Sequence, residues 1–388
     1  MKIPKHILPV IVIAQFCCTS LWFAGNGVMG DLVLNFGLAE ASLGHLTSAV
    51  QFGFISGTLV FALLTIADRF SPSKVFFFSA FLGAVFNLGT VLDNNTLITL
   101  LLFRFLTGFF LAGIYPVGMK IAADYYQKGL GKSLGFLVGA LVLGTAFPHF
   151  LNGFGAMLDW KIVIFTTSFL AILGGLSMLL FVPNGPFRKV SQQLDFSILF
   201  KVFKDKKFRS PAFGYFGHMW ELYTFWAFLP VMISGFNTLH PTANLNVSLY
   251  SFAIISIGGL ACVVSGYLAE RLGTRKVAFS ALLLSFLCCL TSPFFFSVDA
   301  TYLFVGFLMF WGMVVIADSP LFSTLVAQNA IAENKGTALT IVNSIGFSIT
   351  IVSIQMVSLL QFSIDSRFIF MLLAIGPLLG LVALRSRD

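Results

Sequence analysis

The chain has 388 residues, 58% hydrophobic and 10% charged, with a mean hydropathy of +0.95. Soluble chains are about 25% charged, so a water-facing surface is excluded, and 15% aromatics with 47 phenylalanines exclude disorder and nucleic-acid binding. The composition is that of a polytopic membrane protein, in which the net charge of +8 matters for where it falls along the chain.

A spanning helix needs about 20 mostly apolar residues. That ruler predicts twelve spans, at 7–28, 43–66, 75–93, 97–119, 133–154, 161–182, 211–235, 248–268, 277–297, 301–322, 337–360 and 367–385. The start, Met1-Lys2-Ile3-Pro4-Lys5-His6 before an apolar run, has the outline of a signal peptide. No small-x-small cleavage site follows, so it reads as an uncleaved first span. Span 1 ends with Asn26 and Asp31, and span 2 contains Gln51. Arg104 lies about 10 Å into span 4, which also carries Pro116. In span 5, His149 follows Pro148 and is expected to be a hydrogen-bonded structural histidine.

A hydrophilic stretch, 183–210, holds Arg188, Lys189, Lys201, Lys204, Lys206, Lys207 and Arg209. It divides the chain into a six-span half (1–182), a basic linker (183–210) and a second six-span half (211–388). Ten residues into span 7, roughly 15 Å along the helix, stands Glu221. His218 is one turn earlier on the same face, with Trp220, Tyr223 and Trp226 nearby. A charge near mid-bilayer costs about 2.5–3.5 kcal/mol. Glu221 is therefore a candidate to line a cavity or carry a coupling proton, against the alternative of a structural Glu–His or Glu–hydroxyl pair. In span 10, Asp318 precedes Pro320, a residue that frees a carbonyl and permits a kink. Lys120 on span 4 is a candidate partner for Asp318. Asn343 and Gln355 in span 11 are expected to join helices or line the cavity.

The five cysteines, Cys17, Cys18, Cys262, Cys288 and Cys289, all fall in apolar runs without zinc or disulfide spacing, and read as lipid-facing or packing thiols. No metal site, cofactor or catalytic constellation is expected. The histidines are scattered, no His-Glu-x-x-His or Gly-x-Ser-x-Gly occurs, and Tyr126 stands where a phosphate loop at Gly131-Lys132-Ser133 would begin with glycine.

With the N-terminus inside, 20 of the 23 Lys and Arg fall on inward segments; Lys161 and Arg367 lie outside and Arg104 within a span. This bias predicts cytoplasmic termini and a cytoplasmic linker. The chain also repeats itself at an offset of about 202–206 residues. Ala67-Asp68-Arg69-Phe70 matches Ala269-Glu270-Arg271-Leu272, and Pro116 matches Pro320. Gly131-Lys132-Ser133-Leu134 matches Gly336-Thr337-Ala338-Leu339, and Asp159-Trp160-Lys161 matches Asp365-Ser366-Arg367.

Two parallel six-span halves joined by a basic linker resemble the major facilitator superfamily over essentially the whole chain. The family carries Gly-x-x-x-Asp-Arg-x-Gly-Arg-Arg between spans 2 and 3. The second copy, Gly266-Tyr267-Leu268-Ala269-Glu270-Arg271-Leu272-Gly273-Thr274-Arg275-Lys276, is nearly complete. The first, running from Leu64 to Lys74, lacks the glycines and one arginine. Arg104-Phe105-Leu106-Thr107-Gly108, with Gly113 and Pro116, is similar to the family's span-4 pattern. In span 5, Gly135, Gly139 and Gly144 keep a small-residue face, but Ala140 stands where the antiporter motif has proline.

The resemblance implies an all-α membrane protein, twelve transmembrane helices in two six-helix parallel-repeat bundles, functional as a monomer in the cell (inner) membrane. It implies transport of a small-molecule substrate by alternating access, with protons as coupling ion and by symport or antiport. It gives conformational roles to the loop residues Asp68, Arg69, Glu270, Arg271, Gly273 and Arg275. Asp68 is expected to face the start of span 11 near Gly336, and Glu270 the start of span 5 near Gly131, since free N–H groups there attract anions. The alternative is loop charges that only set topology. An acid on span 1 paired with an arginine on span 4 can couple protons, which makes Asp31 and Arg104 candidates, with a packing or anion-attracting Arg104 as the alternative. Glu221, His218, Arg104, Asn26, Asp31, Asp318 and Asn343 thus form the candidate cavity or coupling set. Efflux of amphipathic compounds, or a non-transporting membrane sensor on the same fold, are the competing readings.

Overall fold

The computed structural model describes residues 3–126, 130–154, 159–188, 203–330 and 335–385. Among them every regular element is helical. Ten helices are long and apolar enough to cross a bilayer, Leu97–Tyr125 and Thr301–Asn329 counting as one each. The shorter apolar helices Ile7–Thr19 and Ile369–Arg385 occupy the places of spans 1 and 12. The chain divides into two compact units, 1–194 and 195–388, with the division inside the basic linker.

Each unit has the same internal plan. In the first, span 2 packs on span 4, span 3 on span 6, and span 1 on spans 5 and 6. In the second, span 8 packs on span 10, span 9 on span 12, and span 7 on spans 11 and 12. Small residues let these backbones approach, as in other membrane helix pairs. A methyl group on Gly53 would lie 1.9 Å from the Phe105 carbonyl oxygen, and one on Gly108 would lie 2.0 Å from that of Val50. The repeat places Gly258 and Gly312 in the same role, a methyl on Gly312 falling 2.4 Å from the Ile254 carbonyl. The Asp-x-basic triplets also fold alike. Asp159 Oδ1 accepts the Lys161 N–H and Asp365 Oδ1 the Arg367 N–H, both at 2.9 Å.

The breaks in the helices position the polar residues. Span 4 is interrupted at Ala112–Ile114, ahead of Pro116, and span 10 at Asp318, ahead of Pro320. Proline offers no N–H to the carbonyl four residues back. For Pro320 that carbonyl belongs to Ile316, and the Cys262 thiol reaches it at 3.5 Å. Span 1 is more broken than the expected continuous 7–28. Helix Ile7–Thr19 ends in turns, Ala24–Gly27 forms a single turn, and Met29–Phe36 continues beyond. Span 7 is instead longer than expected, one helix over Lys206–Leu239 that continues through Pro211 and Pro230. Asp205 caps its start by accepting the Lys207 N–H at 2.9 Å.

Candidate functional site

In the second unit, span 7 presents His218 and Glu221 one turn apart on one face. Both are 1% exposed, as is Asp318. Glu221 Oε1 receives three donors from two other helices. The Ser285 hydroxyl lies at 2.5 Å, the Cys289 thiol at 3.3 Å and the Trp311 indole N–H at 2.6 Å. Ser285 and Cys289 are four residues apart, so one face of span 9 delivers both. Span 10 delivers Trp311, whose ring packs against Phe225 with centroids 4.8 Å apart.

His218 does not pair with Glu221. Its Nδ1 lies 2.8 Å from Asp318 Oδ1, so the partner comes from the joint in span 10. Asp318 is both the last residue of helix Thr301–Ala317's cap and the residue that opens helix Ser319–Asn329. Asp318 Oδ2 and His218 Nε2 are buried and meet no hydrogen-bond partner among the described residues. No lysine or arginine pairs with Glu221 or Asp318 among the described residues. Two carboxyls and an imidazole are thus buried together with no lysine or arginine beside them among the described residues, an arrangement that can exist with or without an added proton. Thr224 and Ser353 share a hydrogen bond of 2.6 Å one turn further along span 7.

The first unit uses its polar residues differently. Arg104 is buried, and its guanidinium donates to the carbonyls of Leu21, at 3.2 Å, and Trp22, where span 1 leaves its helix. A methyl on Gly25 would lie 3.2 Å from Arg104 Nε, so glycine makes room for the side chain. Arg104 therefore takes backbone acceptors and not Asp31, which lies further on in Met29–Phe36. Asn26 donates to Thr47 Oγ1 at 2.8 Å, joining spans 1 and 2. Gln15 and Gln51 are fully buried, with neither amide atom partnered among the described residues. His149 is buried on span 5, with Nε2 unpartnered among the described residues.

Lys120 pairs with Asp68 at 2.8 Å. Arg69 Nε reaches Thr65 Oγ1 at 3.2 Å. In the second copy of the loop, Glu270 and Arg271 are exposed in the last turn of Val247–Leu272, Gly273 turns the chain at φ +93°, and Arg275 donates to the Leu384 carbonyl at 2.6 Å. The helix starts expected to face Asp68 and Glu270 lie at the edge of the described residues, the side chains of 130–132 and 335–336 being outside them. Asn343 is half-buried on span 11. All five cysteines are buried, so they are packing thiols and not lipid-facing ones.

The sequence reading missed Ser285, Cys289 and Trp311 as partners of Glu221. The only signal was the four-residue spacing of the first two, common in any apolar helix.

The sequence profile of the Major Facilitator Superfamily matches residues 11–354. No curated protein gives a match to the chain. Among solved structures, the fold is similar to a mutant of the nucleoside transporter NupG, with a TM-score of 0.75 at 15% identity, covering 97% of this chain and 98% of that one. It is also similar to a bacterial homologue of the human lysosomal transporter Spinster in an inward-facing, unoccupied conformation. There the TM-score is 0.70 at 14% identity, covering 98% of this chain and 97% of that one.

Proposed function

The chain belongs to the major facilitator superfamily, and on that premise we propose that this membrane transporter is a secondary active one, moving a small solute by alternating access and coupled to protons. The observation that carries the proposal is the buried pair of carboxyls, Glu221 and Asp318, served by hydroxyl, thiol, indole and imidazole groups and by no lysine or arginine among the described residues. A proton bound there alters the interior of the second unit at two points. On Asp318 it removes the charge that holds His218, loosening the joint ahead of Pro320. On Glu221 it changes what Ser285 and Trp311 are held by. Both events act on span 10, which gives the proton a route to a helix movement.

The bias of 20 in 23 basic residues supports cytoplasmic termini and linker, in the cell inner membrane. In the first unit, the unpartnered amides of Gln15 and Gln51 suit a neutral polar solute. Nucleosides are therefore the first solutes to screen, given the likeness to NupG.

Thermal-shift screening of purified protein identifies the solute, and reconstitution then tests the coupling. In proteoliposomes, Glu221→Gln is expected to abolish accumulation driven by a pH gradient while sparing solute exchange. Normal gradient-driven accumulation by that variant removes the assignment. Extrusion of amphipathic dyes by the unaltered protein would establish the efflux reading instead.

A further inference from the structure

The loop between spans 2 and 3 occurs twice in the chain, and its two copies are held by different means. In the second copy the loop's own arginine, Arg275, donates to the Leu384 carbonyl at the end of span 12, 2.6 Å away. Counting back 202 residues from each turns Arg275 into Ser73 and Leu384 into Val182. The first copy makes the corresponding contact with a shorter donor, Ser73 Oγ to the Val182 carbonyl at 2.5 Å. Serine has no charge and no second donor, so it cannot do all that a guanidinium does.

The missing guanidinium arrives from outside the loop. Arg188 lies six residues past Val182, in the linker, and its Nη2 donates to the carbonyls of both Asp68, at 2.7 Å, and Phe70, at 2.8 Å. The residues between are laid against the same surface. Tyr125 donates from its hydroxyl to the Pro183 carbonyl at 2.6 Å, and Ser71 Oγ to Asn184 Oδ1 at 2.8 Å. The Phe187 N–H donates to the Asp124 carbonyl at 3.0 Å. At Gly185 a methyl group would lie 2.4 Å from that same carbonyl oxygen, so only glycine permits the approach. Asp124, buried on the end of span 4, lies within electrostatic reach of Lys120, Arg188 and Asp68.

We propose that residues 182–188 are a strap through which the linker positions the first loop, with Arg188 standing in for the arginine that the second copy supplies itself. The strap holds the backbone of Asp68 while Lys120 holds its carboxylate. The second loop reaches span 12 with its own arginine, whereas the first is held by an arginine of the linker.

Hydrogen–deuterium exchange on the full-length protein in nanodiscs tests this. Arg188→Ala removes two charge-assisted hydrogen bonds and is expected to speed exchange across residues 64–74 by about tenfold or more. Adding Ser73→Arg to that variant recreates the second copy's arrangement and is expected to restore slow exchange. Arg275→Ala should quicken residues 271–276 and leave 64–74 unchanged. Unchanged exchange at 64–74 in Arg188→Ala overturns the proposal, as does failure of Ser73→Arg to restore it. Should Arg188→Ala not fold, the paired variant Ser71→Cys with Asn184→Cys in the otherwise unaltered chain decides. Mild oxidation is expected to cross-link most molecules, and absence of the cross-link overturns the strap.

Discussion

A buried guanidinium needs acceptors, and Arg104 finds them in the carbonyls of Leu21 and Trp22, where span 1 stops being a regular helix. Arginine and broken helix therefore satisfy one another, and removing the side chain should be felt in the backbone. Arg104→Gln is expected to cost about 1.5–3 kcal/mol per charge-assisted hydrogen bond lost, read as a lower Tm in detergent. Arg104→Lys should recover only part of it, because an ammonium lacks the planar fork. A Gln variant as stable as its parent would mean that the carbonyls find other donors. At Glu221 the test is of pairwise coupling. Trp311→Phe removes the indole donor while keeping an aromatic ring beside Phe225. A double-mutant cycle with Glu221→Met should return about 1 kcal/mol or more of coupling, and additive effects would show that the 2.6 Å contact contributes little. These partnerships were invisible in the sequence. The cost of burying Glu221 singled it out, but which donors meet it depends on how spans 9 and 10 are rotated against span 7.

Between helices, the decisive residues are the ones with no side chain. Spans 2 and 4 close so tightly at Gly53 and Gly108 that a methyl group would strike a carbonyl oxygen. Neither backbone can yield without moving the whole helix. Gly108→Ala is expected to destabilise by about 1–3 kcal/mol, the usual cost of overpacking, as a drop in Tm. Gly266→Ala, where nothing lies within 4 Å, should leave Tm unchanged or raise it slightly. The turn ahead of span 12 offers a pH test outside the spans. Arg367 grips Asp365 through Nε and Nη2 at 3.0 and 2.8 Å and holds its carboxyl down at about 2. A depressed carboxyl contributes stability above its ordinary pKa and loses it as the pH falls from about 4 toward 2. Arg367→Gln should move the titration of Asp365, followed by carboxyl NMR, up to the ordinary carboxylate range. The exposed pair should shift Tm little, and salt should reduce even that. The Asp-x-basic triplets were legible as a repeat, while the matching caps they form required the backbone geometry.

For the whole molecule, the linker's contacts predict where the chain tolerates a cut. Co-expressed halves separated between Leu194 and Asp195 keep residues 182–188 with the first unit, and that unit should retain its thermal stability. Separation between Val182 and Pro183 detaches Arg188 and Asn184 from their partners. The first half should then melt earlier, and equal melting of the two split proteins would remove the linker's structural part. Composition and periodicity alone determined that the chain crosses the membrane, roughly where each span lies, and that its halves repeat. Those properties follow from apolar length and from residues at fixed offsets, which are local features of a chain. The kink ahead of Pro320 was legible because a missing N–H acts on its own helix, but span 7 continues through Pro211 and Pro230, so proline alone does not fix where a helix breaks. What tertiary structure decided was pairing: Arg104 with carbonyls and not Asp31, Lys120 with Asp68, His218 with Asp318, and Arg188 in place of a loop arginine. Each joins residues far apart in the chain. In a bilayer interior that has no water to accept or donate, Arg104 and His218 take whichever partners helix packing brings within about 3 Å.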